Sequence, residues 1–315
     1  MTVHEIPLDS SSLIGCFSKE IPSFITVRSG DRIKCTIPDA GWGMYENGIR
    51  VKPYDRPPGA GHALIGPVYV EGAKAGMTLA VTINELVTGP FGFTAAGHYP
   101  NWQNRMLGLT AYDEIILSWK LSSTQQTGSC AIGGKTFQVA LNPFLGVMGM
   151  PPNEPGNHST FPPRSCGGNI DCKELVKGST LYLPISVDGA LFCFGDGHAA
   201  QGDGEVSCQA IECPMELADI TITLEENMAI TQPRAFTPNG WVTFGFHEDL
   251  NEATVIALDG MLQLMGEKYG LDRVEAIAIG SSVIDLRITQ IVNGVKGVHA
   301  VLPHNALSVL EGDDS

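Results

Sequence analysis

The sequence lacks any apolar run of the roughly eighteen residues that a membrane-spanning helix requires. It also lacks a basic N-terminal segment followed by an apolar core, so we expect no secretory signal peptide. The hydropathy pattern therefore indicates neither a membrane-spanning helix nor a signal peptide, and we expect no membrane partner.

Positive charge is scarce. The chain has 19 Lys and Arg residues against 34 Asp and Glu residues, which gives a formal net charge of −15 at pH 7. Nucleic acids and anionic membrane surfaces are bound through basic patches, so this balance argues against both classes of partner. A neutral or cationic small ligand fits the charge better.

The eight cysteines lack the CxxC spacing of zinc ribbons and redox motifs. Cys193, Cys208 and Cys213 stand among apolar residues, as buried free thiols do, and we expect a reducing, cytoplasmic setting. Cys166 and Cys172 flank a Gly-rich segment and Asp171. A thiol nucleophile at one of them is a minor alternative to the site described below.

Turn-forming residues are abundant, with 37 glycines and 20 prolines, and they separate short alternating apolar segments. Residues 180–187, 220–224 and 241–246 alternate as strands do. One stretch differs: Asp249 can cap a helix, apolar residues follow at spacings of three and four, and Gly270 can end it. The pattern predicts a mainly β fold with one or two C-terminal helices, the second over 271–280.

Three segments without regular periodicity, 38–61, 88–104 and 142–172, are predicted as long loops that could line a pocket. The length of 315 residues fits a single elaborated β domain over 1–315. Two β units, about 1–175 and 176–315 with the site between them, are the alternative.

The densest group of ionisable residues is in the stretch 194–212, where four glycines alternate with Asp196, His198, Asp203 and Glu205. We interpret it as a strand, a Gly-rich loop and a second strand. Glycine allows close approach of the backbone, so such a loop can direct carboxylates and an imidazole at one point. That arrangement suits a metal or a proton-transfer site, although Gly-Asp pairs are also ordinary turn residues.

Glu205 and Glu212 are both candidates for a catalytic base or a ligand. On an uninterrupted strand, their separation of seven residues would place them on opposite faces. Glu212 would share the apolar face of Cys208 and Ala210, where a carboxylate must be paired, metal-bound or protonated. Glu205 is favoured as base because it is nearer to the Gly-rich loop.

Other candidates stand in the predicted loops. Asn169 and Asp171 are two residues apart and would face the same way in an extended segment, with Asp171 as a ligand or as part of an Asx turn. His62 follows the first long loop and could equally be a hydrogen-bonded loop histidine. Gln201 could orient a substrate.

Residues 195–206 (GDGHAAQGDGEV) resemble the signature of the acetamidase/formamidase family. Further segments resemble that family in the same order: 62–73, 143–149, 167–171, 285–292 and 297–300. The resemblance extends over about 20–305. Ser207, Cys208 and Gln209 stand where the family more often has small Gly or Thr residues. Met77 replaces a usual Asp after Gly76, and residues 63–65 are unusual beside His62.

The resemblance implies a β-sandwich or jelly-roll-like fold and a hydrolase that cleaves the C–N bond of a small linear amide, of the formamide or acetamide type, to carboxylate and ammonia. A metal-activated water and a carboxylate base would carry the reaction. It implies a homodimer or higher homo-oligomer and a divalent metal, zinc first and calcium second. The implied roles are metal ligands at Asp171, Asp196 and His198, catalytic groups at Glu205, Glu212 and His62, and substrate-orienting groups at Asn169 and Gln201.

Two alternative functions remain open. One is a hydrolase of a larger amide or a urea-like compound, because the sequence pattern does not reveal the shape of the loops that set substrate size. The other is a catalytically inactive β protein that binds a metal or a small ligand, which the departures at 63–65 and 207–209 keep open.

Overall fold

A computed structural model describes residues 1–309 of the chain. Its helices are α1 (Trp102–Met106), α2 (Leu250–Tyr269) and α3 (Arg273–Val283), with a 3-10 turn at Leu109–Ala111. Its strands are β1 (Val3–Ile6), β2 (Leu13–Ile14), β3 (Ile25–Val27), β4 (Asp31–Ile37), β5 (Met44–Glu46), β6 (Ile49–Val51), β7 (Leu64–Val70), β8 (Thr78–Thr88), β9 (Phe91–Ala96), β10 (Ile115–Ser122), β11 (Thr127–Ile132), β12 (Lys135–Ala140), β13 (Phe144–Gly149), β14 (Gly167–Asn169), β15 (Thr180–Pro184), β16 (Phe192–His198), β17 (Met215–Glu225), β18 (Arg234–Phe236), β19 (Gly240–His247), β20 (Asp285–Gln290) and β21 (Lys296–Pro303).

Two large sheets form the centre of the fold. A nine-stranded sheet has the order β1-β4-β17-β8-β15-β18-β19-β21-β20, and a second sheet has the order β14-β13-β16-β7-β2, with β3 paired to β7. Ile33 and Val81 of the first sheet share one buried apolar cluster with Ile65 and Phe194 of the second. Because the two sheets bury their apolar faces against one core, the predicted mainly β sandwich is confirmed.

Helix α2 packs on β19 and β21 of the nine-stranded sheet, and α3 packs against α2. Asp249 accepts hydrogen bonds from the backbone N–H groups of Asn251 and Glu252 at the start of α2, and Gly270 ends the helix with a φ of 69°. Both ends of α2 agree with the prediction, and α3 confirms a second helix. The backbone of α2 lies directly on β19, because a Cβ at Gly245 would overlap the carbonyl oxygen of Ala253.

All three predicted loops contain strands. β5 and β6 pair within 38–61, β9 lies within 88–104, where it joins a four-stranded sheet of order β12-β11-β10-β9, and β13 and β14 lie within 142–172. Every residue of β13 is buried, so the strand has no alternation of apolar and polar residues to reveal it. After α3, β20 and β21 pair with each other in antiparallel fashion.

The interpretation of the central stretch as a hairpin is wrong. Asp196 and His198 lie within β16, and the segment 199–214 turns back irregularly before β17 begins. The backbone N–H of Cys208 donates to the carbonyl of Glu205 at 2.8 Å, and both residues have positive φ. This turn replaces the second strand that the alternation over 206–210 predicted.

The division of the chain into domains stays a prediction. In the nine-stranded sheet, β17 pairs with both β4 and β8, so strands from either side of residue 175 alternate. In the second sheet, β16 lies between β13 and β7. On this interleaving we propose one elaborated β domain rather than two units.

Two expectations from the sequence concern the state of the cysteines and the membrane-spanning character of the helices. All eight cysteines are free thiols. Among residues 1–309, no helix combines the length and apolar character that crossing a membrane demands.

A buried ion pair fastens three neighbouring strands of the nine-stranded sheet. Asp219 of β17 accepts hydrogen bonds from Arg32 of β4, with Nη2 at 2.6 Å, and from Asn84 of β8 at 3.1 Å, and Lys34 lies 3.6 Å away. Burial opposes ionisation, but the hydrogen bonds from Arg32 and Asn84 hold the pKa of Asp219 below its usual value. The carboxylate therefore stabilises the folded state at neutral pH.

We expect Asp219→Asn to lower the free energy of unfolding by about 2 kcal/mol at pH 7, less than for a fully buried pair because Arg32 is partly exposed. A carboxyl with a lowered pKa stabilises above its unfolded value of about 4, so the deficit should shrink below pH 4. Urea unfolding at pH 7, 5 and 3.5 measures this. The matched control is Asp188→Asn, which removes an exposed pair with Lys74, and an equal loss in both variants would contradict the expectation.

Candidate metal and catalytic site

Three adjacent strands bring the predicted metal ligands together. Asp196 and His198 are two residues apart on β16 and share a face, while Asp171 follows β14 by two residues. β13 lies between β14 and β16 in the sheet, and its Gly146 lies beside the side chains of all three residues. Residues far apart in the sequence therefore meet above one glycine.

The three ligands form a compact buried group. One ligand atom from each of Asp171, Asp196 and His198 lies within 4.8 Å of the others. Asp171 and Asp196 have φ values of 54° and 63°, in the left-handed region that non-glycine residues rarely adopt. Such backbone strain is concentrated at functional sites, where the surrounding structure maintains it.

Gly146 makes room for this group. A Cβ at that position would overlap Oδ2 of Asp196 and would lie 2.7 Å from Oδ1 of Asp171 and 2.9 Å from Cε1 of His198. Atoms of the candidate ligands, from the end of β14 and from β16, thus surround one point on the backbone of β13. Any larger residue would occupy the space where their side chains converge.

Glu205 and Glu212 add two further buried carboxylates. Oε1 of Glu212 accepts a hydrogen bond from the backbone N–H of Ala210 at 3.1 Å and lies 3.5 Å from Nε2 of His198. The prediction that the two glutamates point to opposite faces is wrong, because the turn between them returns Glu205 to the same cavity that Glu212 lines.

Several buried oxygens of this cluster are unsatisfied. Within the described part of the chain, Oδ1 of Asp171, Oδ1 of Asp196, Oε2 of Glu205 and Oε2 of Glu212 have no hydrogen-bond partner. Buried carboxylate oxygens without partners are costly unless they are paired, protonated or bound to a metal. A mixed set of carboxylate and imidazole donors suits a divalent cation, so the residues present fit such an ion.

The protonation of the cluster reflects its excess of acidic groups. Burial, opposed by the His198 imidazole and reinforced by the neighbouring Asp196, raises the pKa of Asp171 to about 8. Burial and the adjacent Asp171 also raise the pKa of Glu205 well above its usual value. Asp196 is the exception: despite its burial, the His198 and His62 imidazoles lower its pKa to about 2. Additional positive charge would therefore be favourable here.

Asp196, His198, Glu205 and Glu212 line a cavity of about 190 Å³, which Asn169 and His62 also line, whereas Asp171 lies behind its wall. Nδ1 of His62 lies 2.8 Å from Oγ1 of Thr160, and its ring centroid is 4.8 Å from that of Phe161. Oδ1 of Asn169 is buried and, among residues 1–309, has no hydrogen-bond partner. Both side chains are thus placed where they could contact a ligand in the cavity.

Gln201 is placed differently from the prediction. Its Nε2 donates to the carbonyl oxygen of Asp171 at 2.8 Å, and its side chain lines a separate cavity beside Trp119 and Ala210. This placement does not support a contact with substrate, because the side chain supports the backbone of Asp171 from outside the catalytic cavity.

Asn293 is a site residue that the sequence reasoning missed. Its Nδ2 donates to Oδ2 of Asp171 at 2.8 Å, from a turn 122 positions further along the chain. Residues just before Asn293 also hold the turn that contains Glu205. The backbone N–H of Gly204 donates a hydrogen bond to the carbonyl of Thr289, and the backbone N–H of Ile291 donates one to the carbonyl of Gly204. The only local signal in the sequence is the Asn-Gly pair that begins at Asn293, which is typical of a turn. It gives no indication that Asn293 contacts Asp171.

The alternative of a thiol nucleophile finds no support in the geometry. Cys166 and Cys172 are buried and do not line the catalytic cavity in the described chain. Burial raises the pKa of both thiols, whereas a nucleophilic cysteine needs a lowered one.

Fold and site together define a β-sandwich protein with a buried carboxylate and imidazole cluster at the base of a cavity. Residues 156–307 match the model of the Acetamidase/Formamidase family. A solved structure of a predicted acetamidase/formamidase from the thermophile Thermoanaerobacter tengcongensis matches with a TM-score of 0.80 and 25% identity, over 96% of this chain and 95% of that one. These matches confirm the resemblance of the chain to the acetamidase/formamidase family.

Two named relatives match locally. The acetamidase of Mycolicibacterium smegmatis is 50% identical over 54 residues, which are 17% of this chain and 13% of that protein. The formamidase of Methylophilus methylotrophus is 52% identical over 54 residues, with the same two shares. The matched segment therefore spans 13% of the length of each relative.

We expect Gly146→Ala to weaken zinc binding at least tenfold, because the added methyl group would displace the carboxylates of Asp171 and Asp196. Titration of the protein with Zn²⁺ in a calorimeter measures the affinity, and circular dichroism checks the fold. Gly202→Ala is the matched control, since a Cβ there meets nothing within 4 Å. Equal affinities in the two folded variants would refute the assignment of the ligand group.

Proposed function

We propose that this chain hydrolyses the C–N bond of a small linear amide, of the formamide or acetamide type, to a carboxylate and ammonia. The observation that carries the proposal is the cluster of Asp171, Asp196 and His198 beside Glu205 and Glu212, of which all but Asp171 line one cavity. The names of the relatives, acetamidase and formamidase, support the same reaction. Amides are poor electrophiles, so their hydrolysis needs such a concentration of catalytic groups.

Asp171, Asp196 and His198 are the proposed metal ligands. Zinc is favoured because one imidazole and two carboxylates are common zinc donors, whereas calcium prefers oxygen ligands alone. When bound, a divalent ion supplies Lewis acidity and lowers the pKa of a coordinated water. Asn293 and Gln201 would orient Asp171 through its side chain and its backbone carbonyl, respectively.

Glu205 is the proposed general base. Its Oε2 is unpartnered in the part of the chain that the structure describes and lines the cavity, so it can accept a proton from water and return it to the departing nitrogen. Glu212 is held by Ala210 and lies against His198, which suits a role in orienting that imidazole or as a further ligand. We propose that His62 and Asn169 hydrogen-bond the amide from the cavity wall.

Setting and assembly also belong to the proposal. The eight free thiols support a reducing, cytoplasmic location. A homodimer or higher homo-oligomer is proposed on the general prevalence of symmetric assemblies. The acidic net charge supports the absence of a nucleic-acid partner.

The decisive experiment measures ammonia released from formamide and acetamide by the purified protein, before and after chelation and after return of zinc. We expect chelation to abolish release and zinc to restore it, because three ligands for an ion adjoin the proposed base. Metal content measured alongside activity excludes a merely incomplete chelation. Release by protein that is verified to be metal-free would refute the metal-dependent reaction, and no release by metal-replete protein would refute the small-amide substrate.

Glu205→Gln and Glu212→Gln distinguish the base from the orienting residue. We expect Glu205→Gln to lower kcat by about 10²–10⁴ with zinc affinity retained, since loss of a general base removes that much. Glu212→Gln should mainly weaken zinc binding, because it removes the carboxylate beside His198. Calorimetric zinc titration and steady-state kinetics on both variants measure the two effects, and the reverse pattern would exchange the roles.

A further inference from the structure

A second chamber adjoins the catalytic cavity. Its volume is about 430 Å³ against about 190 Å³ for the catalytic cavity. Phe161, Cys208, Gln209 and Asn293 line both spaces, so the chamber and the catalytic cavity are direct neighbours. One of them, Asn293, contacts the proposed ligand Asp171 directly.

The walls of this chamber are tied together by hydrogen bonds from α1. Gln103, which is buried, donates through Nε2 to the carbonyl of Val206 at 2.6 Å. Trp102 donates through Nε1 to the carbonyl of Ile291 at 3.3 Å. One short helix thus bridges the turn that carries Glu205 and the turn that carries Asn293, which gives the chamber a fixed frame.

The lining combines small and apolar groups. Ala95, Ala96 and Val292 leave the interior open, and the rings of Phe161 and Tyr99 flank it. Polar groups are also present, and Glu114 and Asn101 are among them. Such a surface suits an uncharged aliphatic or aromatic group that reaches inward from the catalytic cavity.

We propose that this chamber binds the acyl group of an amide substantially larger than acetamide, while its carboxamide occupies the catalytic cavity. The inference rests on the proposed amide hydrolysis and specifies its substrate class. Acetamide has a single methyl group to place, whereas the chamber exceeds the roughly 30 Å³ that one water occupies in the liquid more than tenfold. With acetamide as the substrate, the apolar residues that line the chamber would have no part of the substrate to contact.

Ala95 is placed to set the size of the accepted group. It lies two residues after Phe93 on β9 and shares its face, and Phe93 lines the catalytic cavity while Ala95 lines the chamber. Its backbone N–H donates to Oε1 of Gln209 at 2.6 Å, which fixes its position against the shared wall. A large side chain at this position would project into the chamber.

The test compares kcat/KM of the zinc-loaded protein for formamide, acetamide, butyramide, hexanamide and phenylacetamide, with ammonia release as the readout. One methylene in an apolar pocket changes kcat/KM by about tenfold or more, so we expect hexanamide and phenylacetamide to exceed acetamide at least tenfold. Ala95→Phe should lower the ratio of phenylacetamide to acetamide at least tenfold. Ala131→Phe, on the exposed strand β11 of the same four-stranded sheet, is the matched control and should keep the wild-type ratio.

The outcomes separate this inference from the reaction itself. Metal-dependent hydrolysis of formamide and acetamide without any gain for longer amides would overturn the chamber and leave the small-amide hydrolase standing. The same holds if Ala95→Phe, shown to be folded by circular dichroism, keeps the wild-type ratio. Hydrolysis of none of the five amides by metal-replete protein would overturn both the reaction and the inference that rests on it.

Discussion

The constraint on which the site depends is the burial of four carboxylates around one imidazole. Each carboxylate alone would be costly in the interior of a sandwich, and together they repel one another. The fold nevertheless holds them in place through strained backbone at Asp171 and Asp196 and through a glycine that leaves room for their side chains. A protein would keep such an arrangement only if something positive or proton-bearing compensates for it, and this is the physical argument behind the proposed metal-assisted hydrolysis.

The order of strands explains why these groups meet. Asp171 and the pair Asp196 and His198 flank β13 because β14 and β16 pair to its two edges. Glu205 and Glu212 join them because the chain turns back after β16 instead of continuing as a strand. The site is therefore a product of sheet topology at one side and of an irregular turn at the other.

The sequence predicted the parts of this molecule that have a local cause. Helix α2 was predicted to the residue because a cap, a periodicity of 3.6 and a terminal glycine all act within one segment. The ligand set followed from ionisable residues between glycines and from family resemblance. What failed was non-local: β13 is buried on both faces and shows no alternation, Asn293 reaches Asp171 only through the fold, and the alternation over 206–210 was outweighed by turns. The prediction that Gln201 orients a substrate rested on its position beside the motif, but a residue near the motif can face away from the cavity.

The pairing of Gly204 with the end of β20 has a consequence for how the protein is made. Residues 289–291 hold the backbone of Gly204, next to Glu205, and Asn293 holds the carboxylate of Asp171 across 122 positions of the chain. Contacts of such long range form slowly, because closing the intervening chain costs entropy before any contact is gained. During synthesis, the strands that carry the proposed ligands would leave the ribosome well before the turn that completes their surroundings. A nascent chain would therefore have its acidic groups in their final surroundings only after the turn at Asn293 has been made and has folded back onto them.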